Sequence, residues 1–313
     1  MADINADRRA VIAGRTYVIT GATSGLGRGT ALALAEYGAR VVIAGRRRDL
    51  LEEVAGQANA KGGQAVLVEA DVSRAKDVEA IAAAAVEHFG GIDAWVNNAG
   101  IGALGRFWDI PLEDHARVID VNLKGVIFGS HVALRGFIAQ GHGTLVNIGS
   151  IDSEVPLAYQ GSYSASKAGV LSLGRALNEE LRLAGAERIR VSTVMPWAVD
   201  TPWWEHAANY SGGTPRMAAM DDPAMVVEKI VEAILDPREE VVVGWKAKAS
   251  AGTHVVAADL AERFSAGVAH KWQMKDAPPA PPTTGTLHEP MASGRDVEGG
   301  VRDRMSREKS GDG

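Results

Sequence analysis

The sequence predicts a doubly wound α/β fold, a parallel sheet of seven strands covered by helices on both faces, followed by a C-terminal extension. Three observations carry that expectation. Short β-branched runs alternate with longer stretches rich in alanine, leucine and glutamate. Most of the short runs are nearly all apolar over four to six residues, as strands buried on both faces are. Strand, helix, strand repeated along the chain requires crossover connections, and these make neighbouring strands parallel.

In chain order, strands are expected at Tyr17–Thr20, Arg40–Ala44, Ala65–Glu69, Ile92–Val96, Thr144–Ile148, Arg190–Val194 and Glu240–Val243. Helices are expected at Gly27–Tyr37, Arg48–Ala60, Lys76–Phe89, Leu112–Gln140, Gly161–Ala184 and Pro223–Leu235. Residues 1–14 read as an N-terminal arm and 15–245 as one α/β domain, with a lid at 196–220 rich in Trp, Gly and Pro. A loop of that length is often functional. Residues 246–313 form the extension. Within it 251–272 reads as one helix, with apolar positions at Val255, Val256, Leu260, Phe264 and Val268, then a proline-rich spacer at 277–282. The last 30 residues, polar and glycine-rich, read as disordered or docked on a partner subunit.

Composition narrows the function. With 313 residues, 46% hydrophobic and 23% charged, the chain buries a core without disulfides or metal. A net charge of −6 argues against nucleic acid, which needs a basic footprint. Zero cysteines exclude a disulfide scaffold, a thiol nucleophile and zinc–thiolate sites, and are compatible with the cytoplasm. The eight histidines are scattered without ligand spacing, so no metal is expected. Neither a signal peptide at the N-terminus nor 18 consecutive apolar residues for a membrane span can be found. Glycine, 36 residues, exceeds its usual share of roughly 7% and points to tight turns.

The first strand runs into Thr20-Gly21-Ala22-Thr23-Ser24-Gly25-Leu26-Gly27, and a helix follows. Glycines there sit at a strand's carboxyl end, where unpaired amides and the helix dipole favour a pyrophosphate. Gly21 would permit the turn, Gly25 a close backbone approach and Gly27 close packing of helix on strand. A glycine-rich turn without a ligand is the alternative, and the pattern alone is a weak signal. The second strand ends in Gly45-Arg46-Arg47-Arg48, with no carboxylate to hold ribose hydroxyls. A guanidinium there suits a 2′-phosphate, so the reading favours NADP(H) over NAD(H), with Arg46 the first candidate. Otherwise these arginines are only a solvated helix start.

Tyr163-Ser164-Ala165-Ser166-Lys167 puts a phenol and an ammonium on one helix face. An ammonium stabilises a phenolate and lowers the phenol's pKa, so Tyr163 would exchange protons with a substrate oxygen. Alone, such a pair is usually an exposed helix face; Tyr159 makes no pair of this kind. Ser150 follows the fifth strand, Asn97-Asn98-Ala99-Gly100 the fourth, and Asn122 lies within Val121-Asn122-Leu123-Lys124-Gly125. With these motifs in register, the chain resembles the short-chain dehydrogenase/reductases of the short, non-extended branch, from about Arg15 to Val243.

The resemblance implies a Rossmann-like sheet, a nicotinamide cofactor and a homodimer or homotetramer. It makes Tyr163 the general acid/base, with Lys167 lowering its pKa and binding the nicotinamide ribose. Ser150 would hold the substrate oxygen and Asn122 support a proton relay through water. Gly21, Thr23, Ser24, Gly25, Leu26 and Gly27 would line the pyrophosphate, and Asp71 and Val72 would flank the adenine. Asn98, Ala99 and Gly100 would line the cofactor, while Pro196 and Thr201 would stand beside the nicotinamide. Ser153 is a rival serine at the wrong spacing. Trp197 stands where the family has glycine, so either the loop path differs or the indole walls the substrate site; a replacement without effect is as plausible.

Trp197, Trp203, Trp204 and Tyr210 crowd the lid, and Trp108 lies in another loop on the same edge. They suit a bulky apolar substrate, or they pack the lid against the tail or a second subunit. The expected activity is NADP(H)-dependent interconversion of a secondary alcohol and a ketone. A catalytically silent nucleotide-sensing protein on the same fold is the alternative, weakened by the presence of Asn122, Ser150, Tyr163 and Lys167 together. An epimerase or dehydratase on the extended scaffold fits neither the glycine spacing nor the lack of a large C-terminal substrate domain.

Overall fold

The computed structural model describes residues 2–256 and 258–310. After helix α1 (Ala2–Ile12), β1 (Thr16–Thr20), α2 (Gly25–Glu36), β2 (Arg40–Gly45), α3 (Arg48–Ala60), β3 (Gln64–Glu69), α4 (Ala75–Phe89) and β4 (Ala94–Asn97) follow the expected rhythm. The middle of the chain holds β5 (Ala103–Leu104), α5 (Leu112–Ile119), α6 (Gly125–Gln140), β6 (Gly143–Ile148), α7 (Gly161–Leu183) and β7 (Ile189–Met195). Then come α8 (Trp203–His206), β8 (Ala208–Asn209), α9 (Pro223–Leu235), β9 (Glu240–Val242), α10 (Gly244–Val256), α11 (Ala258–Ala269) and α12 (Val301–Ser310).

The seven main strands form a parallel sheet in the order β3-β2-β1-β4-β6-β7-β9. Order reverses between β1 and β4, which opens a crevice at their carboxyl ends. All of β1 and the four central residues of β2 are buried, as their continuous apolar runs require. One face packs on α2, α3, α9 and Ile12 of the N-terminal arm. On the other face lie Val78, Ile81, Val118, Phe137 and Leu181, from α4 to α7.

Two expectations along the chain change. The single helix at 112–140 is broken by a π-turn, Asp120–Lys124, which separates α5 from α6. Such turns insert a residue and re-aim its side chain, and here that side chain is Asn122. The single helix at 251–272 is instead α10, α11 and a π-turn at His270–Lys275. Leu260 and Phe264 point outward, at 67% and 74% exposure, and the side chains of Val255 and Val256 lie outside the described residues.

The larger correction concerns the last 30 residues, expected to be disordered or docked on a partner. As far as Ser310, where the described residues end, they pack on their own chain. Val301 and Met305 of α12 join Leu157, Trp204, Met217 and Ala269 in a third apolar cluster. The proline-rich spacer is drawn into pairing as well, Pro279 bridging to Gly213, and Thr283 just beyond it bridges to Asn209. Hydrogen-bonded carbonyls and buried apolar contacts offset the ordering of a polar segment. None of the helices among the described residues is long and apolar enough to cross a membrane.

Candidate active site

A single cavity of about 260 Å³ runs along the carboxyl ends of the central strands. At one end stand Gly21, Thr23, Ser24, Gly25, Leu26, Arg46, Asp71 and Val72; at the other, Ser150, Tyr163, Lys167, Pro196, Trp197, Trp203 and Trp204, while Thr201 lies beside Gly25. Asn98, Ala99 and Gly100 lie between them. Gly27 and Asn122 are absent from that wall and support it from behind.

The turn after β1 shows why glycine is needed. Gly21 has φ +65°, and a Cβ there would lie 2.7 Å from the Ala99 Cα. At Gly27 a Cβ would strike the Gly21 carbonyl and the Asn98 amide, so its role is packing, as the spacing suggested. The Asn98 side chain ties the turn to β1 by donating to the Thr20 carbonyl at 2.9 Å. Beside it, Asp71 accepts from Ser73 and from Arg117 of α5, a side chain absent from the sequence-based site. These bonds hold the Asp71 carboxyl below its ordinary range against the opposing effect of burial.

Arg46 and Arg47 both reach this end of the cavity, and burial draws both guanidinium pKa values down. Their donors meet backbone carbonyls of the C-terminal segment, Arg46 the carbonyl of His288 at 3.1 Å and Arg47 that of Met291 at 2.7 Å. The sequence pointed to Arg46 first; the two arginines share the position.

At the far end, α7 carries Tyr163 and Lys167 one turn apart. Lys167 Nζ donates to the Ile148 carbonyl at 2.7 Å and lies 5.6 Å from the centre of the Tyr163 ring. Burial draws the lysine down to about 8, opposed by Asp152. It pushes the Tyr163 phenol up, the Asp152 carboxylate adds to this, and a hydrogen bond with Ser150 opposes it. Burial and the Asp152 charge thus act on the phenol in the opposite direction to the lowering expected from Lys167. Asn122 is fully buried, exchanging hydrogen bonds with both backbone groups of Ile101 and donating to Ser166 at 3.1 Å. Ser153 is accounted for structurally, its hydroxyl accepting from the Ser150 amide.

Asp152 was missed in the sequence. Its carboxyl, 7% exposed, lines the cavity between Ser150 and Ser164, and burial raises it to about 7. Ser150 Oγ accepts from the Asp152 amide at 3.2 Å. An acid two residues after the serine, just past the carboxyl end of a buried strand, was the available signal.

Among the aromatic residues of the lid, Trp203 tilts against the Tyr163 ring, centroids 5.1 Å apart, and Trp204 packs edge-on to Trp203. Trp197 keeps a negative φ, so this loop needs no glycine, and its indole faces the cavity while donating to the Ala218 carbonyl. Trp204 also belongs to the lid–tail cluster, so wall and packing are both served. Trp108 is 80% exposed and lines nothing, and Tyr210 turns away to donate to Asp114. Tyr159 hydrogen-bonds His270 at 2.7 Å and pins the tail.

Comparison with known proteins agrees with this geometry. Residues 15–210 match the short chain dehydrogenase family. An uncharacterized oxidoreductase of Bacillus subtilis is 32% identical over 88% of this chain and 78% of its own length. One from Staphylococcus haemolyticus is 34% identical over 72% of this chain and 92% of its own. Among solved structures, a short chain dehydrogenase/reductase from Burkholderia phymatum in complex with NAD superposes with a TM-score of 0.71 at 28% identity, covering 80% of this chain and 95% of that one. An alcohol dehydrogenase from Thermococcus sibiricus complexed with 5-hydroxy-NADP gives 0.63 at 27% identity, over 73% of this chain and 95% of that one.

Proposed function

The chain belongs to the short-chain dehydrogenase/reductase family, and from that premise we propose that it interconverts a secondary alcohol and a ketone with a bulky apolar group, using NADP(H). The observation that carries the reading is one cavity with Ser150, Tyr163 and Lys167 at one end and the glycine turn with Arg46 and Arg47 at the other. The residues present fit a dinucleotide. Gly21 leaves no room for a Cβ beside Ala99, and Gly21, Ala99 and Gly100, which carry little or no side chain, line the path between the two ends.

When bound, the nicotinamide would supply or accept the hydride. In reduction, Ser150 would donate a hydrogen bond to the ketone oxygen and Tyr163 would deliver the proton that this oxygen needs. In oxidation, Tyr163 would take that proton back from the alcohol oxygen. Lys167, held by the Ile148 carbonyl, presents its remaining donors to the cofactor ribose. Trp197 and Trp203 wall the substrate and exclude water from the reacting carbon.

Parallel titrations with NADPH and NADH, read by tryptophan fluorescence, test the reading. Tighter binding of NADPH, with the difference lost in Arg46→Ala, is expected. Tyr163→Phe should bind cofactor normally and lose roughly 10²–10⁴-fold in kcat on bulky ketones. Binding of neither dinucleotide would overturn the assignment, and tighter binding of NADH would overturn the arginine argument.

A further inference from the structure

Residues 285–299 cross the outer edge of the cavity as a strap, with Thr286 and Pro290 in its wall. What holds the strap is unusual in one respect: its backbone carbonyls take up the donors assigned above to the cofactor's phosphates. Arg46 donates to the carbonyls of Thr286, Leu287 and His288. Arg47 donates to those of Met291, Ser293 and Gly294. The amide of Gly25, at the start of α2, donates to the Asp296 carbonyl at 2.9 Å. An amide has one hydrogen, and in the dinucleotide reading Gly25 belongs to the pyrophosphate cradle.

The strap is also shaped to dock. Gly294 has φ +67°, and a Cβ there would strike the His206 ring; at Gly299 it would strike the Thr201 carbonyl. Beyond the strap, Asp200 anchors α12 by accepting from the Val301 amide at 2.8 Å, so the segment is tethered at its far end. With the strap docked the cavity measures about 260 Å³, below the roughly 300–1,000 Å³ of typical small-molecule sites.

We propose that residues 285–299 are an intramolecular ligand of the cofactor groove, so that docking of the strap and binding of NADP(H) exclude each other. The inference rests on the dinucleotide reading of the site and adds its regulation. Phosphate oxygens make stronger, charge-assisted bonds to guanidinium than neutral carbonyls do, so the 2′-phosphate and pyrophosphate displace the strap at a cost in apparent affinity. That cost, as a factor in Kd, is the reciprocal of the fraction of molecules with the strap lifted. NADH, which lacks the 2′-phosphate, competes only at the pyrophosphate end and gains less from lifting.

The test compares the full chain with a Gly294→Val, Gly299→Val double variant, in which neither glycine can reseat. A strap docked in nine of ten molecules costs about tenfold. The variant is therefore expected to bind NADPH about tenfold more tightly and to show a smaller gain for NADH. In the unmodified chain, amides of 285–299 should exchange hydrogen faster once NADPH is added, a readout that stands even if the variant folds poorly. Slower exchange, or NADPH binding that is unchanged or weaker in a folded variant, would overturn the proposal and leave the cofactor reading intact. Binding of neither dinucleotide by either chain would remove both.

Discussion

Asp152 is expected to set the pH behaviour at the Tyr163 end of the cavity. Its carboxyl ordinarily titrates near 3.8 and is raised to about 7 by burial. A proton therefore binds more tightly in the folded chain than in the unfolded one. The stability this group contributes is complete below its ordinary pKa and is lost as pH rises through 7. The same charge pushes the Tyr163 phenol up and supports the Lys167 ammonium. Asp152→Asn should accordingly lose less stability than the parent between pH 4 and 7, as denaturant midpoints across that range would register. With Tyr163 as the proposed base in alcohol oxidation, the rate is expected to rise as the phenol ionises. Removing the neighbouring anion favours the phenolate, so the alkaline limb of the kcat profile should move to lower pH and the inflection near 7 disappear. A profile unchanged in both respects would show that Asp152 does not communicate with Tyr163.

Helix α12 shows how one capping residue decides whether an element docks. Asp200, 2% exposed, accepts from the Val301 and Arg302 amides and from Arg302 Nε, so it satisfies donors that a helix start leaves unpaired. Asp200→Ala should cost about 0.5–2 kcal/mol, the usual range for losing a cap, and hydrogen exchange should quicken across 301–310 while the sheet strands keep their protection. Uniform loss of protection would instead make α12 part of the global folding unit. The contrast with the sheet explains what was legible in the sequence. Strands such as Arg40–Gly45 and helices such as Arg48–Ala60 carry their own periodicity, and the glycine turn and the Tyr163–Lys167 pair sit at fixed offsets from them. The strap has no period, because its binding groups are backbone carbonyls, which every residue has. The π-turn at Asp120–Lys124 was hidden for a related reason: its flanks read as one helix, and within it Asn122 is bonded to Ile101 and Ser166, distant in sequence. Asp152 was missed because its effect comes from burial, which the sequence does not state.

At the scale of the whole molecule, sheet, lid and tail form one thermodynamic system, since the third apolar cluster joins all but the sheet and the strap's carbonyls reach back to β2. A ligand at 100 times its Kd adds about 2.7 kcal/mol of stability, or roughly 5–11 °C at 2–4 °C per kcal/mol. For NADPH in the parent chain part of that gain offsets the loss of the strap's own contacts. The Gly294→Val, Gly299→Val variant has already given those contacts up. Its Tm without ligand should therefore lie below that of the parent, and the gap should narrow as NADPH is raised, because the variant receives the whole of the binding energy. NADH should narrow it less, since Arg46 and Arg47 then keep their carbonyl partners. A segment that clamps bound cofactor gives the opposite sign: the gap would widen with NADPH, because only the parent could close over it. Thermal melts of both chains across an NADPH series distinguish the two by sign alone.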